Sequence, residues 1–347
     1  MNNVDKQYLD LLKDILENGV EKDTRAGKVK SVFGRMMRFN LKEGLPLLTT
    51  KKVYTKGIIH ELLWFLKGNT NIKYLIENNV NIWTDDAYRY YCELINKNNQ
   101  ITKEMFPEDK SSQQVTLLKK VSKEEFIQNV LEEKEIKIIT DKLFFFPTEE
   151  GNTSERFVNY NTNYKFGDLG PVYGRQWRSF GISGFDQIKN IIETLKNNPD
   201  DRRMLCVAFN PDVLGEVALP PCHVMFQFYT KELENGRREL SCSFTMRSND
   251  FCTGNPYNLG SYGLLAYMIA EVCDMEVGEL IYNGGDVHVY LNHLEGALEQ
   301  LSRNGSDKIP QLKFARKIDN IDDFKYEDFI IEDYEPDLPI KYQLNVG

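Results

Sequence analysis

The chain has 347 residues, of which 41% are hydrophobic and 12% aromatic, and its formal net charge is −9 at pH 7. This length suffices for one large domain or two ordinary ones, and the aromatic content argues against disorder. The negative charge disfavours non-specific nucleic-acid binding, so an anionic substrate would need a local cluster of arginines.

Cysteine and histidine spacing predicts no metal site. Six cysteines form no CxxC pair, and four histidines lack the spacing of zinc ligands. The charged, amphipathic N-terminal segment is not typical of a signal peptide, and no apolar run reaches the roughly 18 residues of a membrane span. We therefore expect a cytoplasmic protein (in the host cytoplasm if it is viral) with free thiols and neither nucleic-acid nor membrane partners.

The first half of the chain predicts helices around a strand. Apolar spacing indicates a helix over 5–17, a strand over 31–41, a strongly apolar helix from Gly57 that ends at Gly68, and a second helix near 70–78. Residues 89–163 are rich in Lys, Glu, Asn and Gln, and they include a short hydrophobic segment, LFFFP. We interpret them as an insertion, partly helical and partly exposed.

The second half predicts more strands. Helices are expected over 184–197, 258–273 and 291–303, and strands over 203–209, 222–231, 239–247, 279–284 and 287–290. Strands and long helices without regular βαβ alternation favour an α+β fold. No GxGxxG motif follows a strand, so a dinucleotide-binding fold is not indicated.

The motif ALPPCH (218–223) places a cysteine directly after two prolines, which fix the backbone before it. Taken alone, Cys222 is more typical of a buried structural cysteine. The alternative is a rigidly presented nucleophile, whose thiolate needs a nearby positive charge. The candidates for that charge are Arg202, Arg203 and Arg247.

Two motifs offer groups that suit a phosphate. Arg202 and Arg203 follow a predicted helix end, and they are either a solvated charge pair or a bidentate phosphate clamp. Arg247 and Ser248 lie side by side in MRSND (246–250), where a predicted strand closes. Arginine and serine donors next to each other favour a bound phosphate.

Two residues near the end of this strand match the edges of heterocycles. Asp250 suits an amino-pyrimidine edge, which donates two parallel hydrogen bonds. Asn258 both donates and accepts, so it can pair with the N3–H and O4 of a uracil, whereas cytosine presents the opposite polarity and would favour an acid. Asn258 also suits a helix N-cap at the start of the predicted apolar helix, and both roles can hold at once.

Three further residues have a structural and a functional interpretation. His288 and Tyr290 alternate on a strand and share one face, either as an ordinary sheet pair or as donors to a sugar hydroxyl. Glu61 lies within a very apolar helix, where an acid is costly unless it is paired or useful. It is either a structural acid bonded to the backbone or an acid that handles protons near a ring carbonyl.

In this order, the motifs resemble thymidylate synthases closely. The resemblance covers nearly the whole chain outside 89–163, where insertions occur in that family. The matching blocks are GLPLLTTKK (44–52), IIHELLWFLKGNTNIKYL (58–75), NIW (81–83), GDLGPVYGRQWRSF (167–180), DRRM (201–204), FNPDVL (209–214), ALPPCHVMFQFY (218–229), MRSND (246–250), GNPYNLGSYGLLAYMIAEV (254–272) and GDVHVYLNHLE (285–295).

The resemblance implies an α+β fold of the thymidylate synthase type, a twisted mixed sheet flanked by helices with one sheet face at a homodimer interface. It implies a single catalytic domain over 1–347 with the insertion at about 89–163. It also implies transfer of a one-carbon unit from 5,10-methylenetetrahydrofolate, the cosubstrate, to C5 of dUMP, which gives dTMP and dihydrofolate. The folate itself would supply the hydride, so no nicotinamide, flavin or metal is implied.

The resemblance also implies residue roles, with Cys222 as the nucleophile that attacks C6 of the pyrimidine. The implied catalytic residues are Cys222, Glu61, Asn258, Arg247, His223 and Asp250. The implied dUMP-binding residues are Arg25, Arg202, Arg203, Arg247, Ser248, Asp250, Asn258, His288 and Tyr290. Arg202 and Arg203 would reach across from the partner subunit. The implied folate-binding residues are Ile82, Trp83, Asp250, Gly254 and Tyr257.

The chain departs from the family pattern at four places. One of the usual tryptophans is missing from residues 84–87 (TDDA), residues 255–258 read NPYN where VPFN is common, and residues 25–27 read RAG where RTG is usual. The C-terminal residues 343–347 (QLNVG) replace the usual Ala-Pro-Val tail. In the family that tail keeps water out during hydride transfer, so a looser closure would let water attack the exocyclic methylene.

Three alternatives follow from these departures. The first is a dUMP hydroxymethylase that gives 5-hydroxymethyl-dUMP and tetrahydrofolate, as in phage DNA modification. A dCMP hydroxymethylase is disfavoured because residue 258 is Asn rather than Asp. A non-catalytic binder of nucleotide or RNA is disfavoured by the intact Cys222, Glu61 and arginines.

Overall fold

The computed structural model describes residues 1–105, 117–147, 153–343 and 345, without the side chains of 142–147 and 153–158. The chain divides into two compact units. The first comprises Met1–Thr70, Pro171–Glu216 and Pro220–Gly347, and the second comprises Asn71–Gly170 with Val217–Leu219. The second unit contains the predicted insertion, and the single-domain organisation stays a prediction.

Helices and strands alternate irregularly along the chain. Up to the end of the second unit's hairpin they are α1 (Asn3–Asn18), β1 (Val20–Thr24), β2 (Gly27–Asn40), α2 (Thr55–Leu66), α3 (Lys73–Glu77), α4 (Thr84–Met105), α5 (Lys123–Leu131), β3 (Glu135–Pro147) and β4 (Thr153–Lys165). The remaining elements are α6 (Tyr173–Arg178), α7 (Gln187–Asn197), β5 (Leu205–Val207), β6 (His223–Glu232), β7 (Arg238–Asp250), α8 (Gly254–Cys273), β8 (Glu276–Tyr290), α9 (Leu294–Leu301), β9 (Gln311–Phe314) and β10 (Phe329–Glu332).

The first unit is built on a six-stranded sheet in the order β1-β2-β8-β7-β6-β5. β7 and β8 are parallel and the other neighbours are antiparallel, which confirms the predicted mixed sheet. Along β7, the buried Leu240, Cys242, Phe244 and Met246 alternate with half-buried residues. This buried face packs against α8, which is apolar nearly all round, as expected of a helix inside a core.

Most predicted elements of this unit are confirmed with shifted ends, and three predictions need correction. The strands expected over 279–284 and 287–290 form one continuous strand, β8. Gly285 lies within this strand. A Cβ at this position would lie 2.9 Å from the carbonyl oxygen of Arg247, so only glycine fits there. The helix expected over 291–303 is a short 3₁₀ turn followed by α9, which ends at Leu301.

The third correction concerns the start of α8. The helix begins at Gly254 rather than at Asn258, with Thr253 at the N-cap, so the predicted N-cap role of Asn258 is wrong. Pro256 falls in the first turn, where its missing N–H costs no helical hydrogen bond. Asn258 consequently lies in the second turn.

The second unit is only partly as predicted. Helices α4 and α5 confirm the helical part of the predicted insertion, and a two-stranded antiparallel hairpin, β3–β4, was not predicted. The LFFFP segment (143–147) lies in β3. Residues 106–116 and 148–152 of the predicted insertion, and 344, 346 and 347 of the C-terminal segment, lie outside the described residues.

A fully buried acid ties α1 to the loop that leads into α2. The Asp5 carboxylate is 0% exposed and accepts hydrogen bonds from the backbone N–H and hydroxyl groups of Thr49 and Thr50. It also accepts from the side chain of Asn2, the N-cap of α1. Buried charge is tolerated here because every acceptor site has a donor.

We predict that Asp5→Ala lowers the free energy of unfolding by about 2 to 4 kcal/mol, because several buried donors lose their only acceptor. Urea titration measures this. Asp10→Ala is the matched control, since Asp10 lies on the same helix with an exposed Lys6 partner and should change stability by less than about 0.5 kcal/mol. Equal losses in the two variants would contradict the anchoring role.

Candidate active site

The backbone around Cys222 is held on two sides. The Cys222 N–H donates to the hydroxyl of Tyr173 on α6 at 2.7 Å, and its carbonyl accepts from the N–H of Arg247 at 2.8 Å. The Arg247 guanidinium donates to the carbonyls of Pro221 at 2.8 Å and Pro220 at 2.9 Å. The cysteine is half-buried, so its thiol is fixed in place and still within reach of solvent.

His223 follows the cysteine and lies in the core. Its ring stacks on Tyr173 with centroids 3.8 Å apart, and its Nδ1 is 2.7 Å from the Tyr262 hydroxyl. Complete burial lowers the pKa of His223 to about 3, so the ring is neutral. Cys222 precedes β6, whereas His223 is the first residue of that strand and its ring packs into the core. A catalytic role for His223 stays a prediction, and the contacts found are those of a core ring.

Glu61 on α2 lies among phenols. Burial raises the pKa of Tyr173 well above its usual range, and the charges of Cys222 and Glu61 raise it further. Burial likewise raises the pKa of Tyr257, with the Glu61 charge as the next cause. Cys222 thus contacts Tyr173 directly, and the charge of Glu61 acts on the same phenol.

Asn258 faces a buried amide from β7. Its Oδ1 accepts from Asn249 Nδ2 at 3.2 Å. Gly254, in the first turn of α8, borders this pair, because a Cβ there would lie 3.7 Å from each of the two bonded atoms. The structure thus brings together two predicted site residues, Asn258 and Gly254.

Asp250 holds the turn that leads into α8. Its Oδ1 accepts the backbone N–H groups of Cys252 at 3.0 Å and Thr253 at 3.1 Å, and its Oδ2 accepts the Thr253 hydroxyl. A carboxylate has about four acceptor positions, so one remains for a ligand donor. The carboxylate is thereby oriented by its own turn.

His288 and Tyr290 share one face of β8, as predicted, with ring centroids 5.4 Å apart. The Asp286 carboxylate is 3.0 Å from His288 Nδ1 and accepts from Ser31 and Lys22. These hydrogen bonds, that of His288 first, hold the pKa of Asp286 well below its usual range. The arrangement orients the imidazole and directs its Nε2 outward.

Tyr290 connects the parts of the site. Burial raises its pKa, and the charges of Asp250, Cys222 and Asp286 add to the rise. The Tyr290 phenol is therefore within reach of the charges of Asp250, Cys222 and Asp286.

The other predicted anion-binding residues are exposed. Arg25 lies in the turn between β1 and β2, and Arg202 and Arg203 lie between α7 and β5. Arg203 forms a bidentate pair with Asp201, with Nε–Oδ1 and NH2–Oδ2 distances of 3.0 and 2.6 Å. Ser248 is half-buried on β7. The predicted folate-binding residues Ile82 and Trp83 lie in the second unit, Trp83 buried and Ile82 half-buried, and their role stays a prediction.

Sequence reasoning missed three contributors. Asp286 could have been found, because a residue two positions before His288 on a strand shares its face. Asn249 sits in a motif whose neighbours were singled out, yet no pattern marks an amide as a partner of Asn258. Tyr173 comes from a distant helix, and only the folded chain brings it to Cys222.

Within the described residues, no helix is long and apolar enough to cross a membrane, and no group of three or more His, Cys, Asp or Glu side chains could hold a metal ion.

A fixed cysteine with carboxylates, amides and an arginine near it has the groups that covalent catalysis requires. Comparison with known proteins then gives the family. The thymidylate synthase family model matches residues 6–346, and the chain belongs to the thymidylate synthase family.

Relatives are similar over their full length. A thymidylate synthase of Mycoplasma mobile is 43% identical over 343 residues, which cover 98% of this chain and 100% of the relative. Thymidylate synthases of Francisella tularensis subsp. holarctica and Francisella philomiragia subsp. philomiragia are each 39% identical over 355 residues, with the same coverage. These matches confirm the predicted family and the prediction of a one-carbon transferase, and they do not favour the hydroxymethylase alternative.

The Asp286 interactions predict a pH-dependent stability. An unfolded Asp has a pKa of about 3.9, and the folded pKa of Asp286 is lower, so its stabilising contribution is complete above about pH 4 to 5 and is lost as the pH falls further. Asp286→Asn should therefore destabilise at pH 7 and do so by a smaller amount at pH 3, where part of the contribution is already lost. Urea titration at both pH values measures this, and a constant difference would contradict it.

Proposed function

We propose that the protein converts dUMP and 5,10-methylenetetrahydrofolate to dTMP and dihydrofolate, with Cys222 as the nucleophile. The Cys222 thiolate adds to C6 of the pyrimidine, and C5 becomes an enolate-like carbon that forms a bond to the folate methylene as the bond from that methylene to N10 breaks. Loss of the C5 proton and of the folate amine leaves an exocyclic methylene. Hydride from the resulting tetrahydrofolate reduces that methylene to methyl, and departure of the thiolate from C6 releases dTMP.

The observation that carries this proposal is the clamp on the cysteine. A neutral thiol is a weak nucleophile, and an adjacent cation favours the thiolate. The Arg247 guanidinium is bonded to the two proline carbonyls that precede Cys222, which places a positive charge next to the reacting residue. Arg247 also remains largely exposed and can bind a phosphate in addition.

The other roles follow the shape of the substrate. Asn258 pairs with N3–H and O4 of the uracil, and His288 and Tyr290 bind the deoxyribose hydroxyl. Glu61 organises proton transfer near O4, a role supported by its position beside Tyr173. Asp250 receives the pterin edge of the folate, and Gly254 and Tyr257 line its pocket.

We further propose a homodimer in which Arg202 and Arg203 of one subunit join Arg25, Arg247 and Ser248 of the other at the phosphate. The support is an exposed face of the sheet. Phe33, Met36 and Tyr229 are 79%, 60% and 67% exposed in the single chain, an unusual exposure for large apolar strand residues. A second copy on this face would bury them.

A cytoplasmic location is also part of the proposal. All six cysteines are free in the structure, as a reducing compartment requires.

We predict that Cys222→Ser lowers turnover by ~10³-fold or more, because a neutral hydroxyl replaces a thiolate. The assay supplies dUMP and methylenetetrahydrofolate and identifies the products by mass. Cys273→Ser is the control, since Cys273 is a half-buried thiol at the far end of α8 and should keep full activity. Near-normal turnover of Cys222→Ser would refute the nucleophile, and 5-hydroxymethyl-dUMP with tetrahydrofolate from the parent chain would refute the reductive reaction.

We predict a dimer in sedimentation at micromolar concentration, and that Met36→Glu weakens it by placing a charge in the apolar face. Ile182→Glu is the control, because Ile182 is fully exposed in a loop outside the sheet and its substitution should leave the dimer intact. An active species that sediments only as a monomer would contradict the shared phosphate site.

A further inference from the structure

Asn249 is a buried residue for which the proposed mechanism has no use. It lies near the end of β7 and is 2% exposed. Its Nδ2 donates to Asn258 Oδ1 at 3.2 Å. Its Oδ1 accepts from Asn255 Nδ2 at 2.7 Å and from the Tyr282 hydroxyl at 2.8 Å. Asn249 thus connects Asn258 to a dry group of polar side chains.

An amide alone does not distinguish uracil from cytosine. In one orientation, Asn258 offers an acceptor to the N3–H and a donor to the O4 of uracil. After a half-turn about χ2, it offers a donor to N3 and an acceptor to the 4-amino group of cytosine. The two orientations have the same shape, so selectivity depends on what fixes the amide.

The orientation of Asn249 is itself determined by its neighbours. If its amide turned over, its Nδ2 would face the Nδ2 of Asn255, and two donors would meet. If Asn255 turned as well, its amino group would occupy the buried position of its Oδ1, which has no hydrogen-bond partner among the described residues. An orphaned buried N–H group is rarer than an under-satisfied carbonyl, so the network favours one arrangement.

Asn255 and Tyr282 reinforce this arrangement. Both are 0% exposed, so water does not substitute for a lost partner. The Asn255 amide and the Tyr282 hydroxyl both donate to Asn249 Oδ1. Asn249 Oδ1 is thus occupied by two donors, and Asn249 Nδ2 is left to donate to Asn258.

We propose that Asn249 is a positioning residue that selects the pyrimidine by holding the Asn258 amide in the uracil-binding orientation. Asn258 Oδ1 has two lone pairs, so it accepts from Asn249 and from the uracil N3–H together. Among the described residues, Asn258 Nδ2 has no protein acceptor, and it donates to O4. This inference rests on the proposed role of Asn258 in base recognition.

Two substitutions test the inference through the ratio of kcat/KM for dUMP to that for dCMP, measured by tritium release from C5. Asn249→Ala frees the amide, and the ratio should fall about 10-fold. Asn249→Asp replaces the donor by an acceptor. This acceptor attracts Asn258 Nδ2, so the Asn258 amide turns over. Its ratio should fall about 100-fold, and further as rising pH ionises the new carboxyl.

Further variants separate positioning from general damage. Tyr282→Phe removes one donor to Asn249 Oδ1 and should lower the ratio by a smaller factor. Asn129→Ala, a substitution of a buried amide in the second unit, should leave the ratio unchanged. Circular dichroism and thermal unfolding identify any variant that does not fold, and Tyr282→Phe then decides the result, because it keeps the ring.

The outcomes distinguish this inference from the proposed function. No turnover of dUMP by the parent chain would overturn the proposed function. A dUMP preference unchanged by Asn258→Asp would overturn the role of Asn258, and the inference with it. If Asn258→Asp shifts the preference toward dCMP, while the folded Asn249 and Tyr282 variants keep the parental ratio, the Asn249 inference alone is wrong.

Discussion

The parallel pairing of β7 with β8 is the constraint on which the site depends. Its register sets Ser248 opposite Asp286 and Asp250 opposite His288, so the carboxyl ends of both strands deliver polar residues to one edge. β6 runs antiparallel to β7 and starts at that same edge, directly after Cys222. Parallel neighbours need a crossover, and α8 supplies it. The helix begins where β7 ends, so its first turns also belong to the site.

Periodicity predicted the elements that have one buried face or are buried throughout. The helix at Thr55–Leu66, the apolar α8 and the strands β6 and β7 were predicted to within a few residues, because each is a long run with a clear apolar pattern. The failures have local causes. The sequence pattern divided β8 into two strands, and the structure joins them through Gly285, where the neighbouring backbone lies too close for any side chain. The hairpin β3–β4 mixes polar and apolar residues without a regular pattern. Most residues of each strand pair with residues too far along the chain for a short sequence window to include.

The site was predictable where single residues carry a distinctive chemistry. Residue type and position alone indicated Cys222 after two prolines, Glu61 in an apolar helix and the arginine beside Ser248. The family resemblance then assigned their roles. The structure adds the partners that hold them, namely the phenol of Tyr173 and the amides and carboxylate of β7 and β8. Such partners follow from strand register and helix packing, which a single sequence does not determine. His223 shows the converse, because it adjoins Cys222 in sequence whereas its ring packs against Tyr173 and Tyr262 in the core.

The position of β2 in the sheet has a consequence for synthesis on the ribosome. β2 pairs with β1 and β8, and the contact between Ser31 and Asp286 joins residues 255 positions apart. At about 5 to 20 residues per second, a nascent chain needs roughly 13 to 50 s to supply β8 after β2 has emerged. During that interval one edge of the β1–β2 hairpin has no strand to pair with, and Phe33 and Met36 are exposed beside it. The hairpin therefore offers an open strand edge to other chains until synthesis reaches β8.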